Sequence, residues 1–338
     1  MKKGIIVAVL AAAAAALGAS AWAAQSPKVS VKTDAAVVKK SPKRVNVTYS
    51  KDGAKKAAAV AGAASASTAL VGRAAEDTGA WSPNGPDLKS SAVLVLDAID
   101  GTTLYAKNTT QISAIASITK LMTAMVVLDA ELPLEESLRI ERADIDTLKH
   151  TGSRLRIGSS FTRRDLLHLA LMSSENRAAS ALGRSYPGGL PAFVAKMNAK
   201  AHELGMRNSR FVEPTGLSSE NVSTAEDLAL MVRASLDYPL IRDFSTAPSA
   251  QFHAADTGQS YGFSNSNGLV RTANWQIDVS KTGYIAEAGQ CLVMQARIKD
   301  KPIIIVLLDS WGRYTRIADA NRVKKWLEGG TLLAGHSG

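Results

Sequence analysis

Ala116-Ser117-Ile118-Thr119-Lys120-Leu121-Met122-Thr123-Ala124-Met125-Val126 sets a serine and a lysine three residues apart at the head of an apolar run. The spacing of Leu121, Met122, Met125, Val126 and Leu128 predicts a buried helix over Ile118 to Asp129. On a helix, positions i and i+3 share a face, so the Ser117 hydroxyl and the Lys120 amine can meet. A serine needs a base to lose its proton during attack. A lysine serves if burial or a neighbouring cation keeps part of it neutral. The apolar residues from Leu121 onward predict that enclosure. A serine near a helix N-terminus also feels its positive end, which favours a developing oxyanion. By itself, S-x-x-K also fits any surface serine and lysine on an ordinary helix.

Two later segments narrow the reading. Ser174-Glu175-Asn176 and Lys281-Thr282-Gly283 follow in order. Together the three form S-x-x-K, S-x-N and K-T-G, the signature of serine acyl-transfer enzymes that includes penicillin-binding proteins and β-lactamases. Only tertiary folding can bring them together. Ser174 would relay a proton between Lys120 and a leaving amine, and Asn176 would orient Lys120 and the substrate amide. In a strand over Val279 to Tyr284, alternation puts Lys281 and Gly283 on one face and Thr282 on the other. Aiming the Thr282 hydroxyl at a substrate carboxylate would then need strand twist or a bulge. Gly283 leaves room for substrate backbone. Lys281 adds a cation expected to depress the Lys120 pKa and attract a carboxylate. The amides of Ser117 and Tyr284 are the candidate oxyanion hole.

Outward from the motifs, strand character marks both ends of residues 87–333. Ser91 to Leu96 and Thr102 to Tyr105 predict a hairpin. Val279 to Tyr284, Leu292 to Ile298 and Ile303 to Leu308 predict three more strands, the last two joined at Lys299-Asp300-Lys301-Pro302. Helical spacing runs over Arg164 to Met172, Leu190 to Leu204 and Thr224 to Ala234, with a start signal at Ser223-Thr224-Ala225-Glu226. Tyr314 to Leu327 predicts a closing helix, and 334–338 a short tail. The expected class is α+β: an antiparallel sheet built from both ends, flanked by helices, beside a helical subdomain.

Lys2, Lys3 and the apolar run Gly4 to Leu17 predict a signal peptide over 1–23, with small residues before Ala21 and Ala23. The run is short and Ala-rich for a span of about 20 apolar residues. A periplasm-like destination follows, with no stable membrane anchor. Residues 24–86 form a basic, Ala-rich stretch poor in large apolar residues, expected to be a disordered linker. Between Lys28 and Lys56, nine basic residues face only Asp34 and Asp52, so the formal charge of +10 owes much to this segment. Nucleic acid is not an expected partner of an exported chain without a nucleic-acid motif. The single cysteine, Cys291, lies in an apolar run and excludes an internal disulfide.

Competing motifs are incomplete. Gly258-Gln259-Ser260-Tyr261-Gly262 matches G-x-S-x-G, but turn-like residues follow where a nucleophile elbow needs a helix. His202-Glu203 begins H-E-x-x-H, yet Met206 occupies the fifth position, so no metal site is expected.

At these residues the chain resembles the D-alanyl-D-alanine peptidase family of low-molecular-mass penicillin-binding proteins. Ala116 to Ala130, Arg164 to Ser180 and Phe211 to Leu228 look especially similar to its endopeptidase members. The resemblance implies the β-lactamase/transpeptidase-like fold and a penicillin-sensitive enzyme that hydrolyses D-Ala–meso-diaminopimelate cross-links in peptidoglycan without a cofactor. The implied roles are Ser117 as nucleophile, Lys120 as base, Ser174 and Asn176 as second motif, and Lys281, Thr282 and Gly283 as third. Expected partners are peptidoglycan stem peptides and, as covalent inhibitors, β-lactams. A carboxypeptidase trimming terminal D-Ala shares all three motifs. A class A β-lactamase would need a deacylating glutamate; Glu213-Pro214 looks superficially similar, but Thr215-Gly216-Leu217 follows. A non-catalytic scaffold that keeps the fold is the remaining alternative.

Overall fold

The computed structural model of the chain describes residues 85–329. The expected signal peptide, nearly all of the linker and the tail lie outside them. The described chain begins with a hairpin, β1 (Ser90–Asp97) and β2 (Thr103–Lys107). A short strand, β3 (Ser113–Ala114), leads into a 3-10 turn (Ala116–Ile118) that runs directly into α1 (Thr119–Asp129). The paired strands β4 (Ser137–Arg139) and β5 (Ser160–Thr162) precede α2 (Arg163–Met172), α3 (Asn176–Arg184) and α4 (Gly189–Glu203). Then β6 (Val222–Ser223), paired with β3, leads to α5 (Ala225–Ser235) and α6 (Pro239–Thr246). A hairpin of β7 (Ser249–His253) and β8 (Ser260–Ser264) follows. The chain returns through β9 (Gln276–Ile285), β10 (Gly289–Ile298) and β11 (Lys301–Ser310) to α7 (Thr315–Gly329).

One antiparallel sheet of order β2-β1-β11-β10-β9 joins the two ends of this segment, as the sequence predicts. In β1 and β11, Leu94 pairs with Val306 and Val95 with Ile305. Alternation divides their side chains between two layers. Leu94, Val293, Ile304 and Val306 face the core around α1, α2 and α5. Val93, Val95, Leu292, Met294 and Ile305 face Ala320, Val323 and Leu327 of α7. Both faces are therefore covered, which is why these strands read as continuous apolar runs.

Local chemistry fixes the helix ends. Thr162 caps α2 by accepting from Asp165 N at 3.0 Å, and Thr224 caps α5 by accepting from Asp227 N at 3.1 Å. Pro239 opens α6, where its missing N–H costs nothing. Helix α1 is buried on every side, so even Lys120 and Thr123 are enclosed. Helix α3, α6 and the short hairpins were not part of the sequence expectation. The 299–302 turn is tighter than expected: Lys299 and Asp300 make it with positive φ, while Lys301 and Pro302 already belong to β11. The G-x-S-x-G match lies in the β7–β8 hairpin, where Ser260 Oγ meets His253 Nδ1 at 2.9 Å.

Candidate active site

The three motifs converge where α1, the α2–α3 link and edge strand β9 meet. Ser117 sits in the 3-10 turn rather than in α1 itself, and Lys120 lies in the first turn of α1. The i, i+3 relation survives the change of helix type. Lys120 Nζ stands 2.8 Å from Ser117 Oγ. It also donates to Asn176 Oδ1 at 2.8 Å and to the Thr215 carbonyl at 2.6 Å. Ser117 remains half-buried, so a ligand can reach it. Ala116, just before it, has φ 48°, a strained backbone for a residue with a Cβ.

Asn176 is held from its other end. Its Nδ2 donates to Thr151 Oγ1 at 2.9 Å, and Thr151 Oγ1 donates to Asp146 Oδ2 at 2.7 Å. This chain fixes the amide so that its oxygen faces Lys120. Asp146 also accepts from the backbone N–H groups of Leu148, Lys149 and Thr151, which shapes its loop. Lys149 pairs with Glu287 at 2.5 Å, joining that loop to the β9–β10 turn. Ser174 has φ 62° and is half-buried. Its hydroxyl makes no hydrogen bond among the described residues, so Ser174 is close to Asn176 in sequence but not bonded to the Lys120–Asn176 pair.

On the third side, Gly283 of β9 lies against the Ser117 turn. A Cβ there would stand 2.9 Å from the Ile115 carbonyl and 3.1 Å from Ser117 N. The Ser117 amide and the β9 backbone leading to Tyr284 thus share one small space. Strand β9 pairs in regular register through the motif: Lys281 opposes Val293, Thr282 opposes Leu292 and Gly283 opposes Cys291. No bulge re-aims Thr282. Its hydroxyl instead donates to Ser266 Oγ at 2.7 Å. Lys281 is buried and donates to the Thr282 carbonyl at 2.8 Å. Arg316 Nη1 donates to the Gly283 carbonyl at 2.7 Å.

Burial is the main electrostatic influence. It lowers the Lys120 amine to about 8, against opposing attraction from Glu213, Glu175 and Asp146. Lys281 is held well below the usual lysine range by burial, then by repulsion from Lys120 and Arg316. The sequence expects both enclosure and the Lys281 charge to depress Lys120. In the structure burial is the main cause, and Lys281 is itself held down by burial and by the neighbouring cations. An amine lowered to about 8 beside a serine hydroxyl can support nucleophilic acyl transfer.

Sequence reading missed Thr151, Asp146 and Thr215. Thr215 contributes a backbone carbonyl, which no residue type announces. Among the described residues, no cluster of His, Cys, Asp and Glu could hold a metal ion.

The D-alanyl-D-alanine carboxypeptidase family model of the S11 peptidases matches residues 79–312. The chain is 50% identical over 252 residues to a D-alanyl-D-alanine endopeptidase of Pseudomonas aeruginosa, covering 75% of this chain and 81% of that protein. It is 45% identical over 259 residues to the D-alanyl-D-alanine endopeptidase of Escherichia coli, covering 77% of this chain and 84% of that one. Its fold matches the crystal structure of the Streptomyces K15 DD-transpeptidase with a TM-score of 0.67 at 28% identity, covering 72% of this chain and 98% of that one. Motifs, sheet and sequence coincide over the same stretch, and the chain belongs to the S11 family of D-alanyl-D-alanine peptidases.

Proposed function

We propose that the protein is a periplasmic DD-endopeptidase that hydrolyses D-Ala–meso-diaminopimelate cross-links in peptidoglycan through an acyl-enzyme on Ser117. The observation that carries this is the contact of Lys120 Nζ with Ser117 Oγ, with Asn176 and Thr215 taking the amine's other hydrogens. A neutral lysine amine has two N–H bonds and one lone pair. With both N–H bonds engaged, the lone pair points at the serine hydroxyl.

Ser117 Oγ attacks the D-alanyl carbonyl and its proton passes to Lys120. The carbonyl oxygen becomes an oxyanion facing the amides of Ser117 and Tyr284. The C–N bond then breaks, and the departing amine takes a proton by way of Lys120 and Ser174. Water attacks the resulting ester, releasing the acid and regenerating Ser117. A substrate carboxylate entering beside Lys281, Thr282 and Ser266 would supply the anion that Lys281 lacks in the free enzyme. β-Lactams would acylate the same hydroxyl and leave slowly. The endopeptidase reading is favoured over the carboxypeptidase one by the similarity to proteins named endopeptidases.

Digestion of purified cross-linked muropeptide dimers tests this. Monomers without free D-Ala are expected. Free D-Ala without monomers would make the protein a carboxypeptidase, and rapid penicillin turnover would favour a β-lactamase. A Ser117→Ala protein that still cleaves dimers would remove Ser117 as nucleophile.

A further inference from the structure

Glu213 is the residue whose sequence context resembles a deacylating glutamate. Its surroundings give it a different task. Oε2 accepts from Thr215 N and Thr215 Oγ1, each at 2.6 Å. Oε1 accepts from Gly216 N at 2.6 Å, Ser218 N at 3.3 Å and Asn221 Nδ2 at 3.0 Å. The Thr215 hydroxyl accepts from Leu217 N at 3.1 Å, so its own proton must go to Glu213. Every neighbour of the carboxylate is a donor, and both oxygens are occupied. Neither is left to hold and deprotonate a water.

The turn built around this carboxylate presses on the nucleophile. Gly216 has φ 81°, and a Cβ there would stand 1.9 Å from the Ala116 carbonyl and 2.8 Å from Ser117 N. Thr123 Oγ1 donates to the Pro214 carbonyl at 2.7 Å, and Asn221 Nδ2 to Thr119 Oγ1 at 3.1 Å. The turn is thereby pinned to both α1 and the Ser117 turn. Between these pins, the Thr215 carbonyl accepts from Lys120 at 2.6 Å. We propose that Glu213 is a positioning residue of the proton transfer: it folds residues 213–218 so that the Thr215 carbonyl holds one Lys120 N–H and aims the amine's lone pair at Ser117.

Its charge adds a second effect. Among the groups around Lys120, Glu213, Glu175 and Asp146 favour the protonated amine, while Lys281 faces it from β9 with Arg316 behind. Removing the Glu213 charge therefore lowers the pH at which Lys120 becomes neutral. Glutamine also puts an NH2 group against donors whichever way it turns. Aspartate keeps the charge but falls one methylene short of the turn.

The inference rests on the Ser117–Lys120 reading, and one experiment separates the two. The second-order rate of acylation by a fluorescent penicillin is measured against pH for wild type, Glu213→Gln and Glu213→Asp, with folding checked by circular dichroism. Glu213→Gln is expected to lose about 100-fold at the plateau, as for a displaced catalytic group, with its acid limb moved to lower pH. Glu213→Asp is expected to lose plateau rate with its limb in place. Wild type that is never acylated defeats the nucleophile reading. Wild type that reacts beside a Glu213→Gln protein of equal rate, or of unmoved acid limb, overturns this inference alone. Should Glu213→Gln not fold, a folded Glu213→Asp with an unchanged plateau overturns it equally.

Discussion

Gly283 and Ser117 are 166 positions apart in the chain, yet a methyl group on Gly283 would stand 3.1 Å from Ser117 N. The same methyl would meet the Ile115 carbonyl at 2.9 Å. Strand β9 therefore lies against the Ser117 turn with no room to spare. Ser117 is set by backbone-to-backbone contact, and glycine is what permits it.

Gly283→Ala must push β9 away from the turn. A loss of about 1–3 kcal/mol in unfolding free energy is expected from overpacking, read by chemical denaturation. Penicillin acylation should fall by more than the stability change alone explains, since the Ser117 amide and Tyr284 amide separate. An alanine variant that acylates at the wild-type rate would show that the two amides do not act together.

Acylation should rise with pH through about 8, because burial lowers the Lys120 amine to that value and only the neutral amine accepts the serine proton. The stability sign is separate. The folded pKa lies below the unfolded reference of 10.5, so protons favour the unfolded chain. The Lys120 penalty is full below about 8 and fades as pH rises towards 10.5. Single-turnover acylation across pH 6 to about 10 checks the first statement. A rate flat over that range would be incompatible with Lys120 as base.

Asn176→Asp replaces a neutral acceptor of the Lys120 amine by a carboxylate. The added anion stabilises the ammonium, so the acid limb should move to higher pH, opposite in direction to Glu213→Gln. A rise of one pKa unit would cost about tenfold in rate near neutral pH. The comparison of the two limbs is the measurement; movement in the same direction would contradict the electrostatic account of the site.

Asp319 ties the start of β1 to α7. It is fully buried and accepts from Lys89 N, Ser90 N and Ser90 Oγ at 3.0, 2.8 and 2.7 Å. Arg322 Nη1 donates to its other oxygen at 2.6 Å. Asp319→Ala leaves buried N–H groups without acceptors and should cost about 3 kcal/mol, seen in denaturant melts. Acylation by penicillin in the folded fraction should be unchanged, because this cluster lies on the far face of the sheet from Ser117.

Cys291 is fully buried on β10, and burial raises its thiol to about 11. Little thiolate forms at neutral pH, and its Sγ donates to the Ala288 carbonyl at 3.3 Å. Maleimide should leave the native protein unlabelled and fully active, and should label it once only after denaturation. Rapid native labelling would mean that the β9–β10 hairpin opens.

The sequence by itself determined the Ser117–Lys120 contact and the periodic elements. A serine and a lysine three apart remain neighbours in either a 3-10 turn or an α-helix, so their contact was legible locally. The apolar runs from Ser91 to Leu96 and Ile303 to Leu308 fixed strands covered on both faces, and Ser223 to Glu226 marked the start of α5, whose cap the structure assigns to Thr224. Of the polar clasp around Lys120, only Asn176 was legible. The Thr215 carbonyl is a backbone group brought in from 95 residues away, and every residue type carries one. Thr151 reaches the site through the orientation it gives Asn176, and Asp146 through Thr151 and its charge. How far burial depresses Lys120 and Lys281 also waited on the fold, because full burial is a property of the packed chain and not of its order.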